Sequence, residues 1–117
     1  MQTNLKVLMI DSPENSKYQV MKFVGEFDKA GHADVREDLN TKVRAFNGTS
    51  LVFDFSELTF INSEGIGYLM EVHAHLLKKD KKLVIIGIND HVKDVFETIG
   101  LNEIIPIYDS LESFLKN

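Results

Sequence analysis

Residues 51–67 read Leu-Val-Phe-Asp-Phe-Ser-Glu-Leu-Thr-Phe-Ile-Asn-Ser-Glu-Gly-Ile-Gly, and the hydrophobic pattern changes twice within them. Leu51 to Phe55 is a dense apolar run broken only by Asp54. It is rich in β-branched and aromatic residues, which predicts a short buried strand. Residues 56–61 read as a connection carrying buried Leu58 and Phe60. From residue 64 to 79 the period becomes helical, with Ile66, Leu69, Met70, His73, Leu76 and Leu77 on one face. A buried strand feeding directly into an amphipathic helix is the unit from which α/β folds are built.

The flanks repeat that unit. Upstream, residues 29–46 place Val35, Leu39, Val43 and Phe46 on one helical stripe, with Arg36, Glu37, Asp38 and Lys42 opposite. Asp28 is the expected N-cap and Asn47-Gly48 the stop. Residues 6–10 and 18–24 read as two strands of a hairpin joined by a turn holding Ser12, Pro13, Glu14 and Asn15. Gly25 is expected to end the second of them. A helix between that strand and residues 51–55 favours a crossover connection.

Downstream, the lysine-rich stretch 78–82 is a solvated turn, and residues 83–87 form another buried strand. Asn89 or Asp90 caps a short helix built on Val92, Val95, Phe96 and Ile99, which Gly100 stops. Residues 104–107 read as a last strand, with Pro106 marking an edge. Asp109-Ser110-Leu111-Glu112 has the form of a capping box with Asp109 in the cap place, and the helix after it buries Leu111, Phe114 and Leu115. The order β-β-α-β-α-β-α-β-α predicts an α/β domain over residues 1–117. Its single mixed, largely parallel sheet is flanked by about four helices.

Composition narrows the function classes. The chain has 117 residues, 44% hydrophobic and 26% charged, with a formal net charge of −5. That suits one compact domain with a real core. An acidic balance argues against nucleic acid or an anionic membrane as the main partner. With no cysteine, disulfides and thiolate metal sites are excluded. No run reaches the length of a membrane span, and the first ten residues lack the pattern of a signal peptide, so a cytoplasmic protein is expected.

Catalytic chemistry finds little support. His73 and His75 are two apart on a helix and point in different directions, and no histidine has a carboxylate at ligand spacing. His73 is expected at the edge of the core and His32, His75 and His91 at the surface. Ser63 follows a buried segment and precedes a helix, as a nucleophile would, but Ile61-Asn62-Ser63-Glu64-Gly65 lacks the first glycine of a nucleophile elbow. Gly65-Ile66-Gly67 is followed by Met70 where a dinucleotide fingerprint needs glycine, and no P-loop is present.

What remains is the segment Asn62-Ser63-Glu64-Gly65. Asn62 or Ser63 can cap the helix, and Glu64 complements the dipole in its first turn. The same position would also accept a phosphate on Ser63, because free N–H groups at a helix N-terminus welcome an anion. Local physics alone supports a plain helix start as well as a phosphoacceptor.

The sequence resembles the STAS family, specifically its single-domain bacterial anti-sigma factor antagonists. Gly25-Glu26-Phe27-Asp28 resembles the family's Gly-Glu-hydrophobic-Asp at the end of the second strand. Asp54 through Gly67 resembles its central signature, in which Asp-Leu-Ser is followed by Asp-Ser-Ser/Thr-Gly-Leu-Gly. Val95 through Leu101 resembles its last helix exit. The likeness runs in order along nearly the whole chain. It implies a sheet flanked by helices, no catalytic activity and no cofactor of its own. By position, Ser63 matches a serine phosphorylated by a partner of the histidine-kinase-like ATPase type, which is also the anti-sigma factor. ATP and magnesium would belong to that partner, and a separate phosphatase would reset the cycle. The implied binding residues are Asp28, Asn62, Ser63, Glu64 and Gly65, with Tyr68 and Val72 on the outer face of the following helix. Two positions depart from the family pattern: Asn62 stands where it has Asp, and Glu64 where it has a second hydroxyl residue. Both make a constitutive scaffold subunit without a phospho-switch the second reading.

Overall fold

The computed structural model describes residues 3–117; Met1 and Gln2, part of the expected 1–117 domain, lie outside the described residues. Five strands form one sheet in chain order: β1 (Leu5–Ile10), β2 (Tyr18–Phe27), β3 (Ser50–Ile61), β4 (Lys82–Ile86) and β5 (Ile107–Tyr108). β1 pairs antiparallel with β2, and every later pairing is parallel. The helices are α1 (Lys29–Ala45), α2 (Ser63–Leu77), α3 (Asp90–Ile99) and α4 (Leu111–Leu115), with a 3-10 turn at Leu101–Glu103. This is the mixed α/β architecture that the alternation of elements predicts.

One face of the sheet carries the main core. Phe23, Phe27, Phe53 and Phe55 are fully buried there beneath α1, α2 and α3, which contribute Leu39, Leu69 and Phe96 among others. The Phe23 ring lies 4.7 Å from Phe53 and 5.1 Å from Phe55, in tilted and edge-on geometry. Such aromatic contacts add to the burial of a large apolar area. The opposite face holds a smaller cluster of Val20, Val52, Val84 and Ile86, covered by Tyr18, Tyr108, Leu111 and Phe114.

β3 is twelve residues long, more than twice the predicted strand. The expected connection at 56–61 is strand, and the reason is two irregularities in its pairing with β2. Lys22 and Val24 pair with Asp54 and Glu57, and Gly25 and Glu26 pair with Leu58 and Phe60. β3 thus carries an extra residue at each step. Its core residues fall at Phe55, Leu58 and Ile61, every third position, and a search for alternation cannot find that spacing. Asp54 stabilises the first bulge by accepting from the Ser56 amide at 2.9 Å. Leu58 is buried as expected, whereas Phe60 is 37% exposed. β2 likewise runs through Gly25 rather than ending there. At φ +122° Gly25 adopts a backbone that side chains disfavour, and a Cβ would lie 2.2 Å from the carbonyl of Asn4, the residue before β1.

Other expectations shift at the C-terminal end. The last strand is Ile107–Tyr108, after Pro106, while Ile105 plugs the core and Ile104 is exposed. Ser110, not Asp109, caps α4 by accepting from the Ser113 amide at 3.1 Å. Leu115 of that short helix is largely exposed.

The largest correction concerns α2. Its buried residues are Gly65, Tyr68, Leu69, Val72 and Leu76, so the helix is rotated by about one residue from the predicted face. Leu77 is 54% exposed, and Tyr68 and Val72 are each 3% exposed. The cause is Gly65. Lacking a side chain, it lets the first turn press onto β2 and β3, where a Cβ would meet the Phe27 carbonyl at 2.7 Å and Ile61 at 2.8 Å. Tyr68 and Val72 follow Gly65 on that face and turn inward, so neither belongs to an outer binding surface. Leu76 and Leu77 distinguish the two orientations. Leu76→Ala is expected to cost about 2–5 kcal/mol and Leu77→Ala less than about 0.5 kcal/mol, measured by urea unfolding. Equal costs would contradict the observed rotation.

Candidate functional site

The site forms where two parallel strands end side by side. Phe27 of β2 pairs with Ile61 of β3, and the Asn62 amide donates to the Phe27 carbonyl at 3.3 Å. Each strand then turns at once into a helix through the same local sequence. Phe27-Asp28-Lys29-Ala30-Gly31 and Ile61-Asn62-Ser63-Glu64-Gly65 both run apolar residue, cap, two exposed residues, glycine. Asp28 accepts from the Gly31 amide at 2.8 Å and caps α1. Asn62 accepts from the Glu64 amide at 3.0 Å and caps α2. Each glycine sits against strand backbone, with a Gly31 Cβ 2.0 Å from the Glu26 carbonyl and a Gly65 Cβ 2.7 Å from that of Phe27. Two helix N-termini therefore open on the same edge of the sheet.

The capping bond belongs to Asn62, one of the two residues the sequence left open. Ser63 is the first helical residue and is exposed, so its hydroxyl is not used for the cap. The positive end of the helix and the free first-turn amides surround it. Asp28 is half-buried, Glu64 is exposed and Gly65 is buried. Asp28, Asn62, Ser63 and Glu64 are thus brought together at this edge, Gly65 lies beneath them as packing, and Tyr68 and Val72 are part of the core.

Three contacts around the site had no sequence signal. The His32 Nδ1 of α1 lies 3.5 Å from the Glu64 Oε1, so the Glu64 carboxylate is turned across to the neighbouring helix. The His32 side chain, expected at the surface, is only 14% exposed, with its ring 4.7 Å from Tyr68 and 6.1 Å from Phe27. The Tyr68 hydroxyl donates to the Asn40 side chain of α1. Burial, then the Glu71 carboxylate, push the Tyr68 phenol up to about 12. His75 is half-buried further along α2; burial first, and then Lys79, Arg44, Lys78 and Lys81, hold it below the ordinary histidine range. The third contact is at the surface, where Phe60 stacks on His91 of α3. The repeated apolar–cap–x–x–Gly pattern at 27–31 and 61–65 is the signal that could have placed both helix starts together.

A third cap completes the edge. Asn89 accepts from the Val92 amide at 2.8 Å and donates to the Leu58 carbonyl at 2.9 Å, tying the start of α3 to β3. Among the described residues no group of three His, Cys, Asp or Glu side chains could hold a metal ion, and no helix is long and apolar enough to cross a membrane. The arrangement presents an exposed hydroxyl at a capped helix N-terminus.

Comparison with known proteins gives this arrangement a family. The STAS domain model matches residues 9–114, and the chain belongs to that family. The anti-sigma-B factor antagonist of Staphylococcus aureus (strain NCTC 8325 / PS 47) is 25% identical over 105 residues, covering 90% of this chain and 96% of that protein. The anti-sigma-B factor antagonist of Listeria monocytogenes serovar 1/2a is 30% identical over 83 residues, covering 71% of this chain and 72% of that protein. The anti-sigma factor antagonist SpoIIAA in its unphosphorylated form shares the fold with a TM-score of 0.75 at 18% identity, over 95% of this chain and 94% of that one. The phosphorylated form of SpoIIAA matches with a TM-score of 0.68 at 17% identity, over 95% and 97%.

Two stability measurements check the local geometry. Asn62→Ala removes the cap of α2 and is expected to cost about 1 kcal/mol, whereas Ser63→Ala is expected to change stability by less than about 0.5 kcal/mol. The reverse order in urea unfolding would assign the cap to Ser63. Tyr68 is neutral in the folded chain up to a pKa of about 12, against 10.0 unfolded, so its contribution is full below pH 10 and is lost as pH rises toward 12. Tyr68→Phe is therefore expected to lose less stability over that interval than the unaltered chain. Parallel loss in both would place the Tyr68 hydroxyl in water.

Proposed function

We propose that this chain is an anti-sigma factor antagonist that acts by partner switching, with no catalytic activity of its own. It binds an anti-sigma factor of the histidine-kinase-like serine kinase type while Ser63 is unphosphorylated, and it releases that partner when Ser63 is phosphorylated. One STAS unit, the whole chain, carries the activity. The observation that carries the reading is the division of labour between Asn62 and Ser63. Asn62 caps the helix, which leaves the Ser63 hydroxyl exposed and free to react. Relatives named anti-sigma-B factor antagonists, and a fold shared with SpoIIAA in two phosphorylation states, support it.

In the modification step the Ser63 Oγ attacks the γ-phosphorus of ATP bound to the kinase. A new O–P bond forms, the bond to ADP breaks, and the hydroxyl proton passes to a base on the kinase. The product adds about −1.5 to −2 charges at the start of α2. The helix terminus tolerates that charge within the chain. A partner surface seated on the same spot does not, because it would have to desolvate the phosphate.

The two departures from the family pattern fit this chemistry. Asn62 keeps the acceptor oxygen that caps the helix and lacks the negative charge that would oppose a neighbouring phosphate. The Glu64 carboxylate stays exposed and lies 3.5 Å from the His32 ring of α1. A constitutive scaffold would also keep Asn62 and Glu64, but it has no use for a free hydroxyl at residue 63.

The test uses the unaltered chain, Ser63→Ala and Ser63→Asp with a purified histidine-kinase-like ATPase of the source organism and ATP. The unaltered chain is expected to take up one phosphate and Ser63→Ala none, by intact mass. Ser63→Ala should bind the ATPase at least about 10-fold more tightly than Ser63→Asp. Equal affinities would favour the constitutive scaffold.

A further inference from the structure

An aromatic pair stands on the surface beside Ser63. Phe60 precedes Ser63 by three residues, and its ring stacks on the His91 imidazole with centroids 5.5 Å apart and planes 11° apart. His91 belongs to the first turn of α3 and is exposed. The core needs nothing from this ring. Its neighbours Leu58 and Ile61 fill the interior, whereas Phe60 is 37% exposed. The bulge at Gly25/Glu26 sets this arrangement, because it turns Phe60 outward beside Glu26, its partner on β2. A large aromatic held still by a stack loses little freedom on docking, and such residues dominate interface energetics.

The surroundings specify what can seat on it. Glu26 is exposed next to Phe60, Asp28 caps α1, and Glu64 and Asp90 stand in the first turns of α2 and α3. Lys29 and Lys93 are the opposing cations at these helix starts, so the rim is acidic on balance. Nucleic acid and anionic membrane carry the wrong charge for it, and a basic protein surface carries the right one.

We propose that Phe60, held by His91, is the apolar anchor of the docking surface. It enters an apolar pocket on the anti-sigma factor whose rim carries Arg or Lys side chains facing Glu26, Glu64 and Asp90. The inference rests on the function proposed above and names the chemistry of the partner at that site. It also gives Ser63 phosphorylation a lever: the phosphate arises a few residues from the anchor, on the same rim, and obstructs seating of the ring.

The histidine-kinase-like ATPases of the source organism, purified singly, are titrated by calorimetry with the unaltered chain, Phe60→Ala, Phe60→Leu, His91→Ala and Ile99→Ala. Phe60→Ala is expected to weaken binding at least about 10-fold, with Phe60→Leu and His91→Ala losing less. Ile99, exposed at the far end of α3, serves as control, and its substitution should leave affinity unchanged. Raising ionic strength from about 0.05 to 0.5 M should weaken binding of the unaltered chain. Unfolding midpoints of Phe60→Ala and His91→Ala should stay near that of the unaltered chain, because neither side chain is in the core. Binding of Phe60→Ala within about twofold of the unaltered chain, or a loss matched by unfolding, would overturn the proposal. If the unaltered chain binds none of these ATPases, the functional reading itself fails and the docking proposal falls with it.

Discussion

Gly65 resting on the ends of β2 and β3 is the contact on which the rest of the site depends. A Cβ at that position would collide with the Phe27 carbonyl and with Ile61, so only glycine allows the helix to start so close to the sheet. That approach sets the rotation of α2 and turns Tyr68 and Val72 into the core. It also leaves Ser63, two residues earlier, on the outer side of the first turn. Gly31 does the same for α1 against the Glu26 carbonyl. The two close approaches give adjacent helix starts, and the caps Asp28 and Asn62 hold them. The Ser63 hydroxyl is thus displayed at the surface between the end of β3 and a capped helix start.

Much of the scaffold was legible in the sequence because it follows simple periods. The stripe Val35, Leu39, Val43 is buried as read, and Asp28 caps the helix it precedes. The strand Leu83 to Ile86 is buried throughout. The exceptions lie where the chain departs from period. Two bulges put Phe55, Leu58 and Ile61 three residues apart in β3, and the dense apolar run that marks the strand in the sequence stops at the first of these residues. The face of α2 differs from the periodic pattern because Gly65 counts as neutral in that pattern, although its smallness decides how the helix lies. At Asp109-Ser110, two good capping residues in succession cannot be ranked without the backbone, and the second takes the role.

The site was legible in position more than in contacts. Ser63 and its neighbours stand out in the sequence because they lie in the stretch Asp54 to Gly67 that resembles the STAS signature. What sequence could not supply is which of Asn62 and Ser63 makes the cap, and where Glu64 points. The first answer bears on function. A serine engaged as a cap would have to break that bond to accept a phosphate, at a cost of about 1 kcal/mol in helix stability. With Asn62 as the cap, that cost disappears. On the proposed reading, phosphorylation changes the surface and leaves the fold intact, as a reversible regulator requires.

The most direct test installs authentic phosphoserine at residue 63 and compares that protein with the unmodified chain for both thermal unfolding and affinity for the ATPase partner. The account predicts an unfolding midpoint close to that of the unmodified chain and a loss of affinity of about 100-fold or more, equivalent to roughly 2.7 kcal/mol. Undiminished affinity, or a phosphorylated chain that no longer folds, would contradict it.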